Sequence, residues 1–112
     1  MMDEIKLLAP GILITPDIEE DTDTDEEVIE EPPYRVLIHN DDITPMDFVV
    51  QILTGIFQLS NFAATQVMLR AHYSGIAHVQ TLPKSEAQKR IGKAQFAAGL
   101  EGYPLKFSME PE

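Results

Sequence analysis

The chain is 112 residues long, room for a single compact domain, and 44% of it is hydrophobic, as in ordinary globular proteins. The absence of cysteine excludes disulfides, thiolate catalysis and cysteine-ligated zinc. The net charge of −11 belongs to residues 1–31, where twelve carboxylates face Lys6 alone; residues 32–112 balance seven acidic side chains with seven basic ones, which leaves nothing to neutralise phosphates and excludes nucleic-acid binding.

The opening MMDEIKLLAPGILITPD is mildly apolar, but Asp3 and Glu4 stand where a signal peptide would carry a basic patch. No apolar run approaches the roughly 18–20 residues needed to cross a bilayer, so a cytoplasmic location is expected. The stretch EEDTDTDEEVIEEPP has adjacent like charges and no helical or strand period. Such a segment buries too little surface to offset its ordering entropy, so residues 1–31 are expected to form a disordered acidic extension. Pro32-Pro33 closes it and opens a domain over residues 32–112.

In YRVLIHN, Tyr34, Val36 and Ile38 alternate with polar or outward positions, which predicts a strand with one apolar face. A helix follows, with Thr44 as N-cap, Pro45 at the first helical position and Asp47 in the first turn. Its apolar stripe runs through Met46, Val49, Val50, Leu53, Ile56 and Phe57. A second helix is capped by Ser60 or Asn61, turns Phe62, Ala64, Val67, Met68 and Ala71 inward, and stops at Gly75. IAHVQTL reads as a second strand, with Ile76, His78 and Gln80 on one side and Ala77, Val79 and Thr81 on the other. A third helix starts near Ser85, buries Ala87, Ile91, Ala94 and Ala98, and ends by Gly99 or Gly102; Pro104 to Met109 form the last strand. The order β-α-α-β-α-β predicts an α+β two-layer sandwich, a three-stranded antiparallel sheet packed against three helices.

Between the first strand and the first helix lie Asn40, Asp41, Asp42 and Thr44. Asn and Asp there serve turns, because their side chains bond nearby backbone. The same groups also suit capture of a chain terminus: an α-amino group is cationic near neutral pH, with a pKa of roughly 7.7–8.0, and needs acceptors and negative charge. Met46, Val49 and Val50, a helical turn apart, are placed to line an adjacent apolar cavity. Met68 and His72, four residues apart, share a helix face with Ala71. This face is either plain core ending in a histidine favoured by the helix C-terminus or, where it meets the first helix, a pocket wall with an acceptor for the amine.

NDDITPMDFVV followed by ATQVMLRAHYSG, in this order and separation, resembles the ClpS adaptors of the Clp protease, and the similarity runs from about Pro33 to Met109. The resemblance implies a non-enzymatic adaptor role without cofactor or metal: binding N-degron substrates, proteins whose first residue marks them for destruction, and delivering them to a hexameric Clp AAA+ unfoldase of the ClpA or ClpC kind. Asn40, Asp41 and His72 would meet the substrate's α-amino group. Asp42 and Thr44 would support the loop or contact the next peptide unit. Val49, Val50, Ile52, Met68, Ala71 and Leu105 would shape the pocket for a bulky hydrophobic first residue, with Met46 as a gate at its rim that rejects β-branched residues. The acidic extension resembles the family's segment that engages the unfoldase, and the protein is expected to be monomeric.

Three departures from the family pattern carry expectations. Ala71 stands where a bulkier valine is usual, which enlarges the pocket and favours Trp over Leu. In PKSEAQKR, Ser85 and Gln88 replace expected glutamates and Arg90 an expected lysine, leaving Glu86, Lys89 and Arg90 as the residues for protease docking. Val79-Gln80 replaces a smaller pair, with altered packing as its consequence. Two rival readings are a metal hydrolase using His39, His72, His78 and the Asp pair, against which stands the absence of H-x-x-x-H spacing, and a docking-only module that modulates a Clp protease without recognising N-degrons.

Overall fold

A computed structural model describes residues 30–112; the expectation for residues 1–29 of the acidic extension lies outside the described residues. The elements follow as β1 (Pro33–His39), α1 (Met46–Gly55), α2 (Asn61–Ser74), β2 (Ile76–Pro83), α3 (Lys84–Leu100) and β3 (Lys106–Pro111). The sheet has the order β2-β1-β3, with β1 antiparallel to both neighbours. The expected α+β architecture is therefore present, with β1 as the central strand.

β1 is paired along both edges, and its inward Val36 and Ile38 are essentially without exposure. They meet Leu53 and Phe57 from the α1 end and Ala87, Ala94 and Ala98 from α3, all fully buried. Alanines on the inner face of α3 let that helix lie close to the sheet, and the Phe57 and Phe107 rings stack with centroids 5.1 Å apart. Among the described residues no helix is long and apolar enough to cross a membrane.

Several local expectations need correction. Thr44 does not cap α1; the helix starts at Met46 after Pro45, without a side-chain cap, and the Thr44 hydroxyl turns to Asp41 instead. Ser60 does cap α2, its hydroxyl accepting from the Ala63 amide at 3.0 Å, and Gly75 ends that helix at φ 90°, a left-handed conformation that favours glycine. Phe62, expected to point inward, is 74% exposed, because the first turn of α2 projects past the core that Ala64 and Val67 enter. β3 begins two residues later than expected, at Lys106, and Leu105 is buried just ahead of it.

The expected faces of β2 hold only for its first half. Leu37 pairs with His78 but Val36 pairs with Gln80, so Val79 is an extra residue, a β-bulge. Beyond it the alternation is inverted: Gln80, paired with buried Val36, turns to the helical layer, and Thr81 joins His78 on the outer face, where their side chains lie 3.0 Å apart. Gln80 finds its partner inside in Arg90, whose guanidinium donates to Gln80 Oε1 at 3.1 Å.

Candidate functional site

The loop from Asn40 to Pro45 leaves the end of β1 and is shaped mainly by one side chain. Asp41 Oδ1 accepts from the Ile43 amide at 2.9 Å and the Thr44 amide at 2.7 Å, and its Oδ2 accepts from the Thr44 hydroxyl at 2.9 Å. Those bonds close a local ring that short acidic side chains favour in turns. Thr44 is buried with its hydroxyl satisfied. Burial is the largest single influence on the Asp41 carboxyl and disfavours its charge; the bonds from Thr44 and Ile43 together outweigh it and hold the group below its ordinary value. Asp41 is thus a stable anion at neutral pH.

The loop is tied to the end of α2, since the Asn40 amide donates to the Gly75 carbonyl at 2.9 Å. The tie brings the acidic loop to the last turn of α2, where His72 stands exposed. A cavity of about 280 Å³ opens between the loop, α1 and α2. Its polar side is formed by Asn40, Asp41, Asp42, Thr44 and His72. Met46, Val49, Met68, Ala71 and Leu105 form the apolar side. Val49, Ala71 and Leu105 are buried, whereas Met46 is 44% exposed.

Ten of the twelve residues singled out for the site therefore converge on one cavity, while Val50 and Ile52 do not line it. Each residue along a helix turns about 100°, so Val50 swings away from the wall that Val49 forms; it packs half-buried against the core, which Ile52 has joined. Four lining residues were missed: Ile38, His39, Ile43 and Pro45. Ile38 was legible as the last inward position of β1. Ile43 was quoted within the motif but carried no assigned part. His39 reaches outward, its Nε2 2.7 Å from the Ser108 hydroxyl.

Glu86, Lys89 and Arg90 lie apart from the cavity, on α3. Glu86 and Arg90 form an i, i+4 ion pair at 2.8 Å, and Arg90 also reaches Gln80 and the Phe57 carbonyl. The bond from Arg90 is the main reason the Glu86 carboxyl lies below its ordinary value, with the charges of Lys89 and Lys93 adding to it. Lys89 is exposed. Among the described residues no three His, Asp or Glu side chains gather as a metal would require.

The profile of the family described as "ATP-dependent Clp protease adaptor protein ClpS" matches residues 29–108, a segment holding every residue of the cavity. The chain belongs to the ClpS family. As a ClpS-type adaptor it delivers N-degron substrates to a Clp AAA+ protease, and adaptors of this family are non-catalytic. The ATP-dependent Clp protease adapter protein ClpS 2 of Mesorhizobium japonicum is 42% identical over 79 residues, spanning 70% of this chain and 78% of that one. The ClpS 1 protein of Rhodopseudomonas palustris is also 42% identical over 79 residues, spanning 70% of this chain and 77% of that one. Among solved structures, Agrobacterium tumefaciens ClpS2 bound to L-phenylalaninamide is similar, with a TM-score of 0.71 and 34% identity, covering 74% of this chain and all of that one.

Proposed function

We propose that the cavity receives the first residue of an N-degron substrate, with the α-amino group held by Asn40, Asp41 and His72 and the side chain lying against Val49, Met68, Ala71 and Leu105. The observation that carries this reading is the junction of an ionised, partly buried Asp41 with an apolar chamber in one cavity of about 280 Å³. A carboxylate offers about four acceptor positions, of which three are taken within the loop, leaving one for an ammonium group. L-phenylalaninamide, the ligand of the Agrobacterium protein, has the same two features, a free α-amino group and a bulky apolar side chain.

Met46, half-exposed at the mouth, acts as the gate. Asp42, exposed beyond Asp41, contacts the next peptide unit, and Thr44 supports the loop through Asp41. Val50 and Ile52 act behind the wall, by holding α1 to the core. Ala71, the smallest apolar side chain on the wall, leaves room for large aromatic residues. Burying a Leu or Phe side chain contributes about 1.5–3 kcal/mol and each charge-assisted hydrogen bond about 1.5–3 kcal/mol, against several kcal/mol for ordering the peptide. Micromolar affinity follows, which suits a protein that must pass its cargo on. The adaptor works as a monomer and meets a ClpA- or ClpC-like unfoldase through the exposed face of α3 around Lys89, with the Glu86–Arg90 pair at its border.

Fluorescence-anisotropy titration with short peptides beginning Phe, Trp, Tyr, Leu, Val and Ala, and with N-acetylated Phe, tests the reading. The aromatic and Leu peptides should bind, Trp ahead of Leu, and acetylation should abolish binding. Failure of every peptide would discard the amine site and leave a docking-only module.

A further inference from the structure

Ile43 is a bulky apolar residue 68% exposed in the middle of a polar loop, at a turn position where Asn, Asp, Ser or Gly would be usual. The core does not account for it, since its side chain is not among those packed there. Its backbone is fixed, because its amide donates to Asp41 Oδ1 at 2.9 Å and the adjoining Thr44 is anchored twice to the same carboxylate. Branching at Cβ further limits the side chain to few rotamers. The loop therefore holds an apolar group out in water at small ordering cost, and that group lines the substrate cavity.

The exposed lining residues divide by chemistry. Asn40, Asp42 and His72 are polar, and the apolar ones are Ile43 and Met46, at 68% and 44% exposure. A substrate whose first side chain fills the chamber must leave through this rim. In an extended chain the second residue lies only about 3.3–3.6 Å further on, with its side chain pointing the opposite way from the first. That side chain meets the outer lip and not the floor.

We propose that Ile43, together with Met46, forms a second subsite that packs against the side chain of substrate residue two and favours apolar residues there. The inference rests on the first-residue reading above and adds a selectivity that the chamber alone would not supply. A substrate with glycine at position two leaves the Ile43 surface in water; one with leucine covers it.

The test uses the full chain and C-terminally labelled peptides that begin Phe-Gly or Phe-Leu and are otherwise identical, titrated by anisotropy against the unmodified protein and Ile43→Ala. The Phe-Leu peptide should bind about three- to tenfold more tightly than Phe-Gly to the unmodified protein. In Ile43→Ala that ratio should fall by at least about twofold, Met46 keeping the remainder, and a thermal melt matching that of the unmodified protein certifies that the variant is folded. Equal affinity for the two peptides in the unmodified protein, or a preference undiminished in Ile43→Ala, overturns the second subsite and leaves the first-residue reading standing. Equal binding of N-acetylated peptides, or none by either Phe peptide, overturns both.

Discussion

Each end of the central strand is closed by a carboxylate, and the two closures use the same bonds in opposite ways. Past the C-terminal end of β1, Asp41 accepts from the amide and hydroxyl of Thr44, three residues away. Ahead of the N-terminal end, Glu31 accepts from the amide of Ser85 at 2.6 Å and its hydroxyl at 2.7 Å, across 54 residues of sequence. The Asp41 ring closes on its own segment and requires nothing from the rest of the chain. The Glu31 clamp exists only after α3 has docked on the sheet. Asp41 is also partly buried, so its bonds work against desolvation, whereas Glu31 is fully exposed and water competes for each of its partners. A loop that sets its own shape is already ordered when a ligand arrives, which reduces the cost of binding. The clamp at the other end ties the residue ahead of β1 to the first turn of α3.

The largest effect should come from removing the charge at the pocket end. In Asp41→Asn the side chain keeps its size and can still accept from the Ile43 and Thr44 amides, but the anion is gone and the Thr44 hydroxyl faces an amide group. Affinity for a Phe-initiated peptide should fall about ten- to a hundredfold, the worth of one charge-assisted hydrogen bond. Anisotropy titration beside a thermal melt checks this. Unchanged affinity would reduce Asp41 to the same structural part as Glu31 and erase the contrast between the two ends.

The same contrast explains what could be read from the sequence. Element order and the antiparallel sheet were legible because periodicity and caps are local signals, and Ser60, Gly75 and the inward residues of β1 all kept their assigned parts. The cavity was legible because most of its lining lies on two short segments, 40–49 and 68–72. What escaped depends on distant partners. The bulge at Val79 arises in the pairing of β2 with β1, so no pattern within IAHVQTL could reveal that Gln80 and Thr81 exchange faces. Thr44 has the chemistry of an N-cap, but α1 begins at Met46 with Pro45 in the cap position, which leaves Thr44 one residue too early, and its hydroxyl donates to Asp41. Glu31 was counted with the extension because its charge matches its neighbours, and its bond partner lies in α3.

An intermediate effect should appear at Arg90, which tells whether the α3 end keeps its charge for the fold or for a partner. Its side chain is 21% exposed and holds Glu86 and Gln80 together beside the bulge. Arg90→Ala would leave the inward Gln80 short of a donor, a loss of about 1 kcal/mol, which in a domain of this size lowers Tm by about 4–8 °C. Gln80→Ala should act in the same direction, and the double variant should lose less than the two single losses added, because they share one bond. Lys89→Ala, at an exposed position, should leave Tm unchanged, and none of these variants should alter peptide affinity. Full additivity in the melts would show that Arg90 and Gln80 do not act as a unit.

The smallest effect is expected at Glu31, and its dependence on pH is the sharpest way to separate the two ends. The Ser85 amide and hydroxyl hold the Glu31 carboxyl below its ordinary value, with Lys84 adding a weaker pull in the same direction. A carboxyl lowered on folding stabilises the folded state above its unfolded pKa, about 4.3, and that contribution disappears as pH falls through the lower folded value. Glu31→Gln should therefore lower Tm slightly at neutral pH, by less than about 2 °C given the exposure of the clamp, and the difference from the unmodified protein should close below about pH 4. Asp41 obeys the same sign, so both variants converge on the parent in acid, but only Asp41→Asn should also weaken the peptide at pH 7. Since the clamp and the cavity lie at opposite ends of β1, a loss of peptide affinity in Glu31→Gln would mean that the strand couples them, and the loop could no longer be treated as shaped by its own residues.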